Sequence, residues 1–309
     1  MNKIERVDGV LRGDEVDYAP ISLWYHFGVQ HGGGEAFARI TLDYFQHYDF
    51  DFLKVMNDYY YPTPEGLDTV RTKADLEKFT AFDVERCGWR EQFKALQIIS
   101  RELKGKAYFI DTVFDPWQSI RRSVAGENME HLAKEEPEAV HAALSAVAEN
   151  LIAYSRKAIE IGAAGIFMSL PAAREIVSPD LFRTFVKPYA QKVFAAVSGP
   201  GRMNVAHIHG EDLYMDDCLD FPVTVLSWWD RGPQGPSMDY VKQRFAGCVM
   251  GGIDQTLLTR RSPAFLKKHV REGVGLGGGR RFFLANGCSI DTWVSPEVVA
   301  AVVAAAREK

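Results

Sequence analysis

Arg202 to Asp212, RMNVAHIHGED, is the stretch whose reading decides the fold. It reads as a short apolar strand that ends in two histidines and turns at Gly210. His207 and His209 are two apart, and on a strand positions i and i+2 face the same side. Both imidazoles therefore project together from a strand's carboxyl end, where barrels and open α/β sheets place their chemistry. Another apolar stretch, Arg280 to Cys288 (RRFFLANGC), ends in a cysteine. His-x-His with a distant Cys is a three-ligand zinc set that leaves one position open: His207, His209 and Cys288.

Strand-like runs recur on both sides of this stretch. Asp17 to Trp24, Phe50 to Met56, Ala107 to Asp111 and Gly165 to Leu170 precede it; Pro222 to Trp228, Gly247 to Ile253 and Arg281 to Ala285 follow. Helical patterns separate them. Phe37, Ile40, Tyr44 and Phe45 form one stripe over Glu35 to Tyr48, and Arg90 to Leu103 is helical. Pro137 to Ile161 has Pro in its first turn and Gly162 at its end. Ser-Pro pairs at 178, 262 and 295 each supply an N-cap and a proline at the first helical position. The helix from Ser178 runs to about Val197, with a break expected at Pro188. Eight strands alternating with helices predict an α/β fold: a parallel, eight-stranded (β/α)8 TIM barrel in a single domain over residues 1–309. The strands are continuous apolar runs, as they are when both faces are buried.

The 309 residues are 47% hydrophobic, ample for one large core. A net charge of −5, without basic clusters, argues against nucleic acid and against an anionic membrane surface. No apolar run has the length of a membrane span. The opening, MNKIERVDGV, lacks the apolar segment of a secretory signal, and four scattered cysteines form no CxxC pair. These features predict a reduced, cytoplasmic protein.

In a barrel the residues just after each strand carry function. Asp58, Asp230 and Tyr25 are the candidates for catalysis. His26, Tyr60, Trp117, Trp229 and Asn286 are the candidates for substrate contact, within an aromatic-rich rim that holds few cations. Such a rim suits an aromatic or quaternary-ammonium group. Plainer readings stand beside these. His-x-His occurs by chance, and a lone Cys is often an inert core thiol. Strand-end aromatics often cap the core. Asp230 and Asp254 read as helix caps, and Asp230 also as a partner or fourth ligand of the metal. His31 to Gly34 resembles an esterase oxyanion loop but lacks a GxSxG elbow. Gly273 to Gly279 follows a helix and fits no nucleotide motif.

Four segments in order carry a family resemblance: Ile176 to Val193 (IVSPDLFRTFVKPYAQKV), Val205 to Asp212 (VAHIHGED), Met250 to Leu258 (MGGIDQTLL) and Leu284 to Val303 (LANGCSIDTWVSPEVVAAVV). Together the chain resembles the uroporphyrinogen decarboxylase superfamily, nearer to its zinc- and cobalamin-dependent methyltransferases than to its decarboxylases. The decarboxylases use arginines in the loop after the first strand. Here that loop, LWYHFGVQHGGGE (residues 23–35), has none. The methyltransferases hold zinc on a His-x-Cys pair and a distant Cys. Carried over, these positions are His207, His209 and Cys288, with imidazole replacing the middle thiolate. A neutral ligand there leaves the metal more positive and a stronger Lewis acid.

The resemblance implies methyl transfer to a thiol or similar acceptor at zinc. It implies a methyl donor that is either a small methylated compound or methylcobalamin, a corrinoid carried on a partner protein, and it implies a homodimer. Two other readings remain. One is a metal-free carboxy-lyase acting on a smaller acid, in which Asp58 and His209 move protons. The other is a non-catalytic ligand-binding barrel.

Overall fold

A computed structural model describes residues 1–308 of the chain. Eight strands form one sheet: β1 (Ile21–Ser22), β2 (Phe52–Val55), β3 (Tyr108–Phe114), β4 (Ile166–Pro171), β5 (Val205–His209), β6 (Val225–Trp228), β7 (Cys248–Ile253) and β8 (Phe282–Asn286). Every paired neighbour is parallel, and β1 pairs with β8, so the sheet curls into the expected (β/α)8 barrel. The remaining junction, between β1 and β2, has no strand ladder. Asp51 bridges it instead. Its backbone N–H donates to the Ile21 carbonyl at 2.9 Å. Its side-chain Oδ2 accepts the Ile21 N–H, also at 2.9 Å.

Among the described residues, thirteen helices surround the sheet. They are α1 (Lys3–Arg12), α2 (Gly33–Tyr48), α3 (Lys73–Leu76), α4 (Arg90–Leu103), α5 (Pro116–Ile120), α6 (Asn128–Glu135) and α7 (Pro137–Ile161). The C-terminal half adds α8 (Pro179–Leu181), α9 (Lys187–Val197), α10 (Met215–Cys218), α11 (Met238–Lys242), α12 (Pro263–Gly277) and α13 (Pro296–Ala306). Ser178, Ser262 and Ser295 each cap a helix through the side chain, with proline in the first turn. No helix among the described residues is long and apolar enough to cross a membrane.

The break expected at Pro188 is present, and two further local features go beyond the sequence reading. The helix from Ser178 to Val197 is divided by a π-helical turn, Phe182–Val186, immediately before Pro188 enters α9. The proline lacks an N–H and its ring excludes the carbonyl four residues back, and the wider turn accommodates both. A second π-helical turn, Arg121–Ala125, follows α5 and ends at Gly126, whose φ of 53° lies in the left-handed region. β3 runs to Phe114, three residues beyond the expected Asp111.

Helix α1 was not expected. Asn2 caps it reciprocally with Glu5, and Gly13 ends it in the left-handed conformation. This helix closes the N-terminal end of the barrel. Lys3 Nζ donates to the Phe50 carbonyl at 2.6 Å, Tyr108 donates to Asp8 at 3.2 Å, and Cys248 Sγ lies 3.3 Å from the Val10 carbonyl. Arg6, 4% exposed, donates to Asp51 at 2.6 Å and to Asp17 at 2.7 Å.

Candidate metal centre

At the opposite, C-terminal end, successive strands each contribute an i, i+2 pair to one cavity. Trp24 and His26 come from the continuation of β1, Lys54 and Met56 from β2, and Thr112 and Phe114 from β3. Phe167 and Ser169 come from β4, and His207 and His209 from β5. The two-residue repeat of a strand aims each pair inward. Gln118, Arg122, Cys288 and Ser289 complete the lining of a space of about 150 Å³.

The three sequence-predicted donors converge there. One ligand atom from each of His207, His209 and Cys288 lies within 4.8 Å of the others. Cys288 Sγ is 3.6 Å from His209 Nδ1. His207 is 4% exposed and stacks on Phe167 with ring centroids 5.1 Å apart. Its Nδ1 lies 3.3 Å from Ser227 Oγ, and Ser227 is its register partner on β6. That contact fixes the ring and leaves Nε2 for the cavity.

The backbone around the donors has little room to vary. Gly210, directly after His209, has φ of 126°, and a Cβ there would fall 2.1 Å from Ala173 Cβ. Asn286 bonds both backbone groups of Trp24 and donates to the Cys288 carbonyl at 2.6 Å, while Gln255 Oε1 accepts the Cys288 N–H at 3.1 Å.

The electrostatics match a cation site. Burial alone would push the Cys288 thiol up, but hydrogen bonds and charge from His207 and His209 outweigh it and bring the thiol down to about 4. Burial holds His207 below the ordinary imidazole range, favouring the neutral form that ligates metals. His209 is raised, chiefly by its bond to Cys288. A thiolate and two imidazoles crowded together are a donor set that fits zinc, with room for a fourth ligand in the cavity.

Of the other candidates, His26 lines this cavity and pairs through Nδ1 with Asp58, whose second oxygen accepts from Gln30 at 3.1 Å. Asp58 and Tyr60 line an adjoining recess that shares Phe114, Gln118 and Arg122 with the main cavity.

Five candidates sit elsewhere. Tyr25 packs on Phe27 and Tyr44, at an outer groove. Trp117 is 1% exposed and belongs to the core. Trp229 lies against Gly232 and Gly287, with its Nε1 buried and unpartnered. Asn286 acts on the loop backbone as described. Asp230 accepts the Gly252 N–H at 2.9 Å and is not in the donor cluster. Asp254 does cap the turn that follows it, through Thr256.

The residue the sequence reading missed is Lys54. It is 5% exposed, lies over the rings of Phe167 (4.5 Å) and Trp24 (5.2 Å), and among the described residues has only Met56 Sδ, at 2.7 Å, as a hydrogen-bond partner. Burial pulls its ammonium down to about 7, against the fields of Cys288, Asp58 and Asp111. The rim is also less purely aromatic than expected. Arg122, from the π-helical turn after α5, rests its guanidinium 3.7 Å from the Phe114 ring centroid.

The chain matches the uroporphyrinogen decarboxylase (URO-D) family over residues 3–309. It is 27% identical over 231 residues to the uroporphyrinogen decarboxylase of Trichodesmium erythraeum, covering 70% of this chain and 62% of that protein. It is 26% identical over 201 residues to a methylated-thiol–coenzyme M methyltransferase of Methanosarcina mazei, covering 62% of this chain and 50% of the relative. The chain thus spans about half to three fifths of the length of these two relatives. Among solved structures, a methyltransferase from Methanosarcina mazei shares the fold with a TM-score of 0.80 at 20% identity, over 99% of this chain and 98% of that one.

Proposed function

The chain belongs to the uroporphyrinogen decarboxylase family, and from that premise we propose that it is a zinc-dependent, methyltransferase-like enzyme. It would transfer a methyl group to a small thiol or similar acceptor held at His207, His209 and Cys288. The observation that carries this reading is the convergence of those three donors, from the ends of β5 and β8, on one cavity. Bound there, zinc would supply Lewis acidity that lowers the pKa of a coordinated thiol. A relative named for transferring methyl groups between methylated thiols and coenzyme M supports the reaction class.

The chain's own residues have separable tasks. Ser227 orients His207, Asn286 and Gln255 hold the Cys288 loop, and the His26–Asp58 pair stands at the cavity wall, where it can carry a proton. The cavity, at about 150 Å³, favours a small substrate over a tetrapyrrole. The methyl source in this proposal is a small methylated compound or a methylated corrinoid on a partner protein.

Elemental analysis of protein purified without chelator tests the metal. We expect about one zinc per chain, lost in Cys288→Ala and in His209→Ala. Methyl transfer from free methylcobalamin to a thiol, followed by the change in corrin absorbance, tests the reaction. Transfer that persists after complete metal removal sinks the proposal.

The pairing of His26 with Asp58 beside a cationic cavity favours a second reading, a carboxy-lyase for a small acid. That reading differs from the sequence expectation in the partner of Asp58, which is His26 rather than His209. It predicts carbon dioxide release without bound metal.

A further inference from the structure

Two cationic side chains, Lys54 and Arg122, line the cavity without a salt bridge. Among the described residues, no carboxylate lies within salt-bridge distance of Lys54 or Arg122. Arg6 pairs with Asp17 and Asp51, Lys187 with Asp220 and Arg231 with Glu272, whereas Lys54 has no such partner. Lys54 is the extreme case, a nearly inaccessible ammonium against two aromatic faces and a thioether. The thiolate of Cys288 contributes to its field but is already shared by two imidazoles. Arg122 is an exposed residue at the mouth of the cavity, without a hydrogen-bond acceptor among the described residues, on a π-helical turn, a rare element that is frequent at functional sites. Both line one cavity, Lys54 from β2 and Arg122 from the segment after the neighbouring β3. Ser169, Ser289 and the three donors line the same cavity.

A buried cation without a partner either gives up its proton or is completed by a ligand, and Lys54 opens onto a cavity that can hold one. We infer that this cavity recognises the anionic end of a small organic acid, with Lys54 and Arg122 as the residues that determine specificity for it. The reactive end of the same molecule faces His207, His209 and Cys288. Only that placement rests on the zinc-thiol reading above; the anion recognition stands on the cavity alone. The inference also reverses the expectation of a quaternary-ammonium ligand, which two uncompensated cations would repel.

Binding to zinc-loaded protein, followed by isothermal titration calorimetry, separates the two ideas with three probes: 3-mercaptopropionate, 1-propanethiol and propionate. We expect 3-mercaptopropionate to bind at least tenfold more tightly than 1-propanethiol. Lys54→Met and Arg122→Gln should each remove most of that preference, with zinc content and 1-propanethiol affinity unchanged. Lys54→Met fills the buried space with an apolar chain, and Arg122→Gln alters a partly accessible residue, so failure of one variant to fold leaves the other. Equal affinity for the two thiols, a preference that survives both substitutions, or no binding by either acid overturns the inference. Propionate binding as well as 3-mercaptopropionate, in a Lys54-dependent way, supports anion recognition while removing the thiol from the reading above.

Discussion

At the N-terminal end of the barrel Arg6, 4% exposed, meets two carboxylates; at the C-terminal end Lys54, 5% exposed, meets none. Both are cations taken almost completely out of water. Asp17 and Asp51 satisfy the first, and its guanidinium also covers the Tyr18 ring at 3.8 Å. The second has no carboxylate partner, and burial lowers its ammonium to about 7. One end of the barrel pairs its buried cation and the other leaves it without a carboxylate, in line with an architecture that keeps stability at the first end and function at the second.

The comparison breaks most severely at Arg6. Arg6→Ala strands Asp51, which is 0% exposed, and should cost about 3–5 kcal/mol of unfolding free energy in urea titration. An unchanged midpoint would mean that the pairing contributes nothing.

The opposite sign is expected at Lys54. Lys54→Met should stabilise the protein by about 1–3 kcal/mol at pH 6. The folded ammonium is lowered to about 7 from an ordinary value of 10.5. Below about 7 both folded and unfolded chains carry the proton, so the full cost is present. Between about 7 and 10.5 only the unfolded chain holds it, and the wild type regains stability as pH rises. The advantage of the variant should shrink over that window in melts run at pH 6 and pH 9.

A smaller effect is expected at Ser227. Removing the hydroxyl that orients His207, in Ser227→Ala, should weaken zinc retention by about 10–100-fold in competition with a chelator, without loss of fold.

Smallest is Asp17. Its carboxyl is held well below the ordinary range, first by its hydrogen bond to Arg6. A lowered acid contributes stability above its unfolded pKa and loses it as pH falls. Asp17→Asn should therefore flatten the acid limb of the stability profile. At 33% side-chain exposure, screening keeps the effect to about 1 kcal/mol.

The sequence made the architecture legible because its punctuation is strong. Proline and glycine bracket α7 at the expected residues, and serine-proline pairs open three other helices. The donor set was legible for a similar reason: a two-residue spacing at a strand end has one geometric meaning. The same rule pairs Lys54 with Met56, but every residue of β2 is buried, so FDFLKVM shows no alternation to reveal which face is the interior. A lysine in such a run reads as an edge or a solvent-facing charge. Trp117 and Trp229 misled because a strand-end aromatic serves core and cavity alike, and only packing distinguishes them. Helix α1 carried its signal in Asn2, Glu5 and Gly13, which the reading passed over.

The seam between β1 and β2 has a consequence for motion. Seven junctions of the barrel are laddered, whereas this one depends on the two bonds of Asp51 with Ile21. The ladder beside it joins Ile21 to Leu284 across nearly the whole chain. Contacts that span so much sequence close late, because the loop entropy must be met first. The short β1 strand is thus the last stave set into the cask and the first to loosen. In native-state hydrogen exchange, the amides of Ile21 and Ser22 should lose their protection ahead of those in β5, β6 and β7.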